Sequence, residues 1–128
     1  DGRELQRPNF DWASYDMRLQ NSVAGRIYQE LQLFFQARRQ LVNTLPRAPL
    51  RVLTTSEPAL LALQRGDDVL GLFNFSQAAI TLDKHTIKAR LRDTYINLIT
   101  HQATELLSLT LEPYGVLWLQ SSKITSSP

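Results

Sequence analysis

Between residues 22 and 42, apolar side chains recur at Val23, Ile27, Leu31, Phe34, Phe35, Leu41 and Val42. That spacing fits the 3.6-residue period of an amphipathic α-helix and predicts one from about Ser22 to Val42. Ser22 is a suitable N-cap, and Arg26 and Glu30 form an i,i+4 pair worth a few tenths of a kcal/mol at most. Arg38 and Arg39 sit in the last turns, where cations suit the helix dipole. Asn43-Thr44-Leu45-Pro46 then stops the helix. Tyr28 and Leu33 widen the apolar arc, so the helix is expected to pack on more than one neighbour. If that neighbour is missing, Ile27, Leu31, Phe34 or residues beside them should be partly exposed or covered by a second copy of the chain.

Past residue 47 the pattern changes to short apolar runs separated by turn residues. Leu50–Thr54 reads as a first strand. Ala59–Gln64 could pass for a helix on propensity alone, but Arg65-Gly66-Asp67-Asp68 is a tight turn and Val69–Phe75 is rich in strand formers, so the two runs make a hairpin. Ala78–Leu82, Lys88–Leu91, Tyr95–Ile99, Leu106–Leu111 and Val116–Leu119 continue the series, with turns at Asp83-Lys84, Arg92-Asp93, Thr100–Thr104 and Pro113-Tyr114-Gly115. Strands at this spacing predict an antiparallel sandwich or barrel. The polar stretch Ser121–Pro128 reads as a frayed tail. Before the helix, Asp1 to about Gln20 is irregular, with an apolar cluster of Phe10, Trp12, Tyr15, Met17 and Leu19 and with Asp11 placed to cap a helical turn over Trp12–Met17.

Composition narrows the function classes. The 128 residues suit one ordinary domain, large enough to fold without disulfides or a metal. With no cysteine, thiol catalysis, iron–sulfur clusters and zinc-finger sites are excluded. A net charge of +2 is too near neutral to argue for nucleic acid. No apolar run is long enough to span a bilayer, no secretory signal opens the sequence, and the expectation is a soluble, cytoplasmic protein. A chain that begins Asp1-Gly2-Arg3 without an initiator Met reads as processed, or as cut from something longer.

Catalytic candidates are few. His85 and His101 both fall in turns, without partners at metal-ligand spacing, and read as solvated. Asp67-Asp68 follows Gly66 and reads as turn chemistry. Asn74-Phe75-Ser76 matches a glycosylation sequon, but at the end of a strand it reads as accidental. Arg3 and Arg7 could recognise an anion or carboxylate. No nucleophile elbow, Walker A loop, dinucleotide fingerprint or zinc-protease motif is present. On the residues alone this is a helix-plus-β unit with no catalytic residue, no metal ligand set and no cofactor site.

Four segments in order nevertheless carry a resemblance. Gly2-Arg3 with Arg7-Pro8 and Phe10 is followed by Ala24-Gly25-Arg26-Ile27-Tyr28-Gln29-Glu30-Leu31 with Ala37-Arg38-Arg39. Then come Val69-Leu70-Gly71-Leu72-Phe73-Asn74-Phe75-Ser76 and Leu109-Thr110-Leu111-Glu112-Pro113-Tyr114-Gly115-Val116-Leu117-Trp118-Leu119. Together they resemble the C-terminal end of glycoside hydrolase family 13, the α-amylase family, and most closely its amylosucrase branch. The resemblance implies a mainly β fold: the antiparallel Greek-key β-sandwich called domain C, preceded by one long α-helix. Residues 1–44 would be the end of the (β/α)8 barrel, its last loop and outer helix 8, and 45–128 the C-terminal sandwich. The family's retaining carboxylates lie on earlier barrel strands, so this stretch would be a non-catalytic part of an enzyme acting on sucrose and α-glucans.

The resemblance also implies a role for Arg3. In amylosucrases the matching arginine pairs with a barrel aspartate and closes the floor of the glucosyl pocket, a bidentate contact that fixes pocket depth. Here the family's Trp directly after that arginine is Glu4 and its His is Gln6, and Pro46 lies farther from Arg38-Arg39 than the family's proline. These departures leave glucosyl transferase, sucrose hydrolase and phosphorylase all open. Asn97, where many members carry Asp, reads as structural. The expected partners are the missing catalytic barrel, and sucrose or an α-glucan for the parent enzyme, with no nucleic acid and no membrane. A dimer through the exposed helix face is a further possibility. The alternative is a free-standing carbohydrate- or protein-binding module. Against it, most of Phe73, Phe75, Tyr95, Tyr114 and Trp118 are expected to face inward.

Overall fold

The computed structural model describes residues 12–42 and 47–122, and the chain divides between Arg39 and Gln40 into two compact units. The first holds a 3-10 helix, Trp12–Leu19, and most of helix α1, Val23–Val42. Trp12 and Tyr15 pack ring against ring, centroids 5.9 Å apart. Ser22 caps α1 as its side chain predicts: its Oγ accepts the Gly25 N–H at 3.0 Å, and its carbonyl accepts the Arg26 N–H at 2.9 Å. Ile27, Tyr28, Leu31, Leu33 and Phe35 are exposed, and Phe34 is half-buried. The apolar arc of α1 is therefore open along much of its length. Asp11 and the stop at Asn43–Pro46 lie outside the described residues.

The second unit is β-structure. Its strands are β1 Leu50–Leu53, β2 Leu60–Arg65, β3 Val69–Asn74, β4 Ile80–Thr81, β5 Thr94–Asn97, β6 Ala103–Glu105, β7 Thr110–Leu111 and β8 Val116–Ser121. Six of them form one antiparallel sheet in the order β1-β2-β3-β8-β5-β6, and β4 pairs with β7 in a separate two-stranded sheet. The β2–β3 hairpin has the register expected from its turn, with Arg65 opposite Val69 and Leu60 opposite Asn74. Gly66 supplies the left-handed residue of that turn (φ 58°), a conformation in which only glycine escapes a Cβ penalty.

Burial alternates along β2 and β3, as a sheet with one dry face requires. Leu60, Ala62, Leu70, Leu72, Tyr95 and Leu119 make that dry face, and Ile80, Leu82, Ile87, Leu106 and Leu111 cover it. The alternate positions Leu61, Leu63, Val69 and Phe73 are also apolar but only half-buried. Both faces of the hairpin are thus apolar, which is why Ala59–Gln64 lacks the polar alternation of an ordinary surface strand. No helix among the described residues is long and apolar enough to cross a membrane.

Three strand assignments need correction. Lys88–Leu91 forms no strand. Ile87 makes a single bridge to Thr55 and the Lys88 N–H reaches the Thr54 carbonyl at 2.8 Å, after which Ala89 and Arg90 are exposed and pair with nothing in a ladder. The run Leu106–Leu111 is broken by Ser108 at φ 82°, so only Thr110–Leu111 pairs. Ala103 and Thr104, expected in the Thr100–Thr104 turn, instead belong with Glu105 to strand β6 against β5. At the other end, Ser121 belongs to β8 and not to a frayed tail: it is buried, and its N–H donates to the Asp68 carbonyl at 2.7 Å.

Candidate functional site

Arg3 and Arg7 lie outside the described residues. The other polar residues singled out in the sequence fall in turns of the β unit. His85 and His101 are both exposed. Asp67 is exposed, whereas Asp68 is half-buried and does more than shape a turn. Its carboxylate accepts the Ser121 hydroxyl at 2.9 Å and tethers β8 to the β2–β3 turn. Asn97 accepts the N–H groups of Ile99 and Thr100 at 2.8 and 3.1 Å, a side-chain turn that makes it structural. Among the described residues, no group of three or more His, Asp or Glu could hold a metal ion.

Asn74, with 2% of its surface exposed, is held by four side-chain hydrogen bonds. Its Nδ2 donates to the carbonyls of Ala78 at 2.7 Å and Glu112 at 3.0 Å. Its Oδ1 accepts the Ser76 N–H at 3.0 Å and the Ser76 hydroxyl at 2.8 Å. The Asn74 N–H donates to the Gly115 carbonyl at 3.0 Å. Gly115 itself has no room for a side chain, since a Cβ there would come within 2.8 Å of the Glu112 carbonyl oxygen. The sequon match is therefore a structural knot: the nitrogen a glycan would need is buried and already donates twice.

Two aromatics beside this knot are the exceptions among five of which most were expected to face inward. Phe75 and Tyr114 are 67% and 63% exposed. Tyr95 is buried as expected, and Phe73 and Trp118 are half-buried. The Tyr114 N–H donates to the Ser76 carbonyl at 3.1 Å, which holds the Pro113–Gly115 turn beside the end of β3.

A second turn, at Asp83–Thr86, carries a perturbed carboxylate. The Asp83 Oδ1 accepts the His85 N–H at 2.7 Å and the Thr86 hydroxyl at 3.1 Å, and the Thr86 Oγ accepts the Asp83 N–H at 2.9 Å. The His85 N–H, then the Thr86 hydroxyl, hold the Asp83 carboxyl below the usual carboxylate range. Because the folded value is depressed, this turn contributes stability above the ordinary aspartate range and loses it as the pH falls through the lowered value. Asp83→Asn is accordingly expected to lower the urea midpoint at pH 7, with the deficit shrinking as the pH falls below the ordinary aspartate range. A deficit that does not change with pH would contradict this.

Arg51, Arg90 and Arg92 line one open cleft of about 750 Å³ between β1 and the 89–92 segment. Tyr95 forms part of its wall, and the Tyr95 hydroxyl accepts the Arg92 N–H at 3.2 Å. Burial pushes the Tyr95 phenol up, against the opposing pull of that N–H. The three arginines went unnoticed in the sequence. Arg51 is far from the other two along the chain, and Arg90 and Arg92 sit in or next to a segment expected to be a strand. The one signal was the repeat of arginine at positions 90 and 92. No family model matches the chain.

Proposed function

We propose that this chain is the C-terminal, non-catalytic part of an α-amylase-family enzyme, closest to amylosucrase, whose parent acts on sucrose and α-glucans in the cytoplasm. In this reading the six-stranded and two-stranded sheets are the layers of the family's Greek-key domain C. The open arc of α1 faces a catalytic barrel, and the retaining carboxylates lie upstream of Asp1. The observation that carries the reading is the bond from Asn74 Nδ2 to the Glu112 carbonyl. It joins two of the four segments on which the resemblance rests, 69–76 and 109–119. The contact supports the reading because it makes the two segments parts of one structural unit, as a single domain end would have them.

Arg3 is then the one residue of this chain at the sugar, paired with a barrel aspartate at the pocket floor. In the parent enzyme, Arg3→Ala is expected to lower the rate of fructose release from sucrose by about thirtyfold or more, the usual cost of leaving a buried carboxylate without its partner. An unchanged rate would remove Arg3 from the site. A parent that cleaves starch but releases no fructose from sucrose would place the chain on another branch of the family.

A second reading is favoured by the exposure of Phe75 and Tyr114. Exposed aromatics at one end of a sheet can stack on sugar rings, as a free-standing carbohydrate-binding module requires. Titration of the chain with maltoheptaose separates the two readings. Saturable binding in the millimolar range or tighter, lost in Tyr114→Ala, favours the module, and no binding favours the supporting role.

A further inference from the structure

We propose that the arginine-lined cleft of the β unit binds a phosphate-bearing small molecule, with the phosphate held by Arg51, Arg90 and Arg92. The guanidinium group presents planar pairs of N–H donors that match a phosphate edge bidentately, and it stays charged at every working pH. Three such groups on one cleft leave far more donors than the protein itself uses.

Arg51 is already aimed. Its Nη2 donates to Gln64 Oε1 at 2.9 Å, and Gln64 is buried, with 6% of its surface exposed, so the acceptor that orients the guanidinium is fixed in the sheet. The other contact of Arg51, to Asp67 Oδ1 at 3.4 Å, is a single solvent-exposed pair. Pairs of that kind are weak and yield readily to a doubly charged anion. Arg92 approaches Asp68 only at 4.0 Å. Arg90 has no ion-pair partner among the described residues.

Tyr95 adds a positioning contact. Its hydroxyl accepts the Arg92 backbone N–H, which fixes the 89–92 segment against the sheet and so positions Arg90 and Arg92 at the cleft. The charged residues lining the cleft are three arginines and Asp67, with the Asp68 carboxylate 4.0 Å from the Arg92 guanidinium. The net field is positive and selects anions. The volume, about 750 Å³, lies within the range of small-molecule sites and is much larger than a bare ion fills. A phosphate ester or nucleotide-sized compound fits the cleft better than inorganic phosphate alone.

The test is a titration of the isotope-labelled chain with pyrophosphate, followed through the arginine side-chain and backbone NMR signals. Citrate and chloride at matched ionic strength are the comparison arms. Pyrophosphate is expected to shift Arg51, Arg90, Arg92 and their neighbours saturably. Arg90→Ala should weaken it roughly tenfold, the cost of losing one charge-assisted pair, and Arg90→Lys should weaken it less. Tyr95→Phe, which removes the acceptor of the Arg92 N–H, should weaken binding severalfold while leaving the spectrum of a folded chain. Equal shifts with chloride, saturation by citrate alone, or an Arg90→Ala variant that binds as well as the parent would each overturn the proposal.

Discussion

Asn74→Asp is expected to destabilise the β unit by about 3–5 kcal/mol at pH 7, the scale of leaving a buried charge uncompensated. The substitution keeps the shape of the side chain and the Oδ1 acceptor. It replaces the Nδ2 donor, which serves the Ala78 and Glu112 carbonyls at 2.7 and 3.0 Å, with an oxygen facing those same oxygens. Two acceptors lose their donor and a charge is placed against them. The new carboxyl should therefore titrate above its ordinary range in the folded chain. A raised folded value means that the penalty grows as the pH rises and shrinks as it falls. Urea unfolding at pH 7 and pH 4 checks both parts. The account expects a large deficit at pH 7 and a smaller one at pH 4, whereas a pH-independent loss below about 1 kcal/mol would mean the knot at Asn74 does not hold the β3 end.

Leu72→Ala should cost about 2–5 kcal/mol, because Leu72 is wholly buried at the centre of the dry face. It sits in β3 between Ala62 of β2 and Leu117 of β8, so the cavity left by truncation is enclosed by backbone that cannot close on it. Val52→Ala in the edge strand β1 is the matched comparison. With 71% of its surface exposed, Val52 should tolerate the change within about 0.5 kcal/mol. Chemical denaturation of both variants tests the pair. Similar losses in the two would contradict the assignment of one dry face and one open face to this sheet.

The two elements read most fully from the sequence were those with a strong period or a strong turn. α1 announced itself by apolar spacing and the Ser22 cap, and the β2–β3 hairpin by Gly66 between two apolar runs. The errors fall where local pattern and tertiary pairing diverge. Lys88–Leu91 has strand-like alternation, but β1 ends at Leu53 and the segment makes only the Ile87 bridge and the Lys88 bond. Leu106–Leu111 looks continuous, yet the backbone reverses at Ser108 so that Leu106 and Leu111 can both reach the core. Thr100–Thr104 is polar enough to read as a turn, and only its position beside β5 makes Ala103–Glu105 a strand.

Site chemistry was less legible. Asn74 appeared only as a sequon, because its four side-chain hydrogen bonds depend on Glu112 and Ala78 carbonyls that a one-dimensional motif does not reveal. Arg51, Arg90 and Arg92 come to line one cleft only through the fold. Which of the β-unit aromatics are exposed was likewise not legible: Phe75 and Tyr114, the exposed pair, both lie just beyond the last paired residues of β3 and β8, Phe73 and Val116.

The central claim is that these residues support a sucrose-cleaving enzyme and carry none of its reacting carboxylates. Fructose release from sucrose, measured for the 128-residue chain and for the same chain continued through the coding sequence upstream of Asp1, tests it most directly. The account predicts no release by the chain alone and steady release by the extended protein. Release by the chain alone, or an extended protein that leaves sucrose intact, would contradict it.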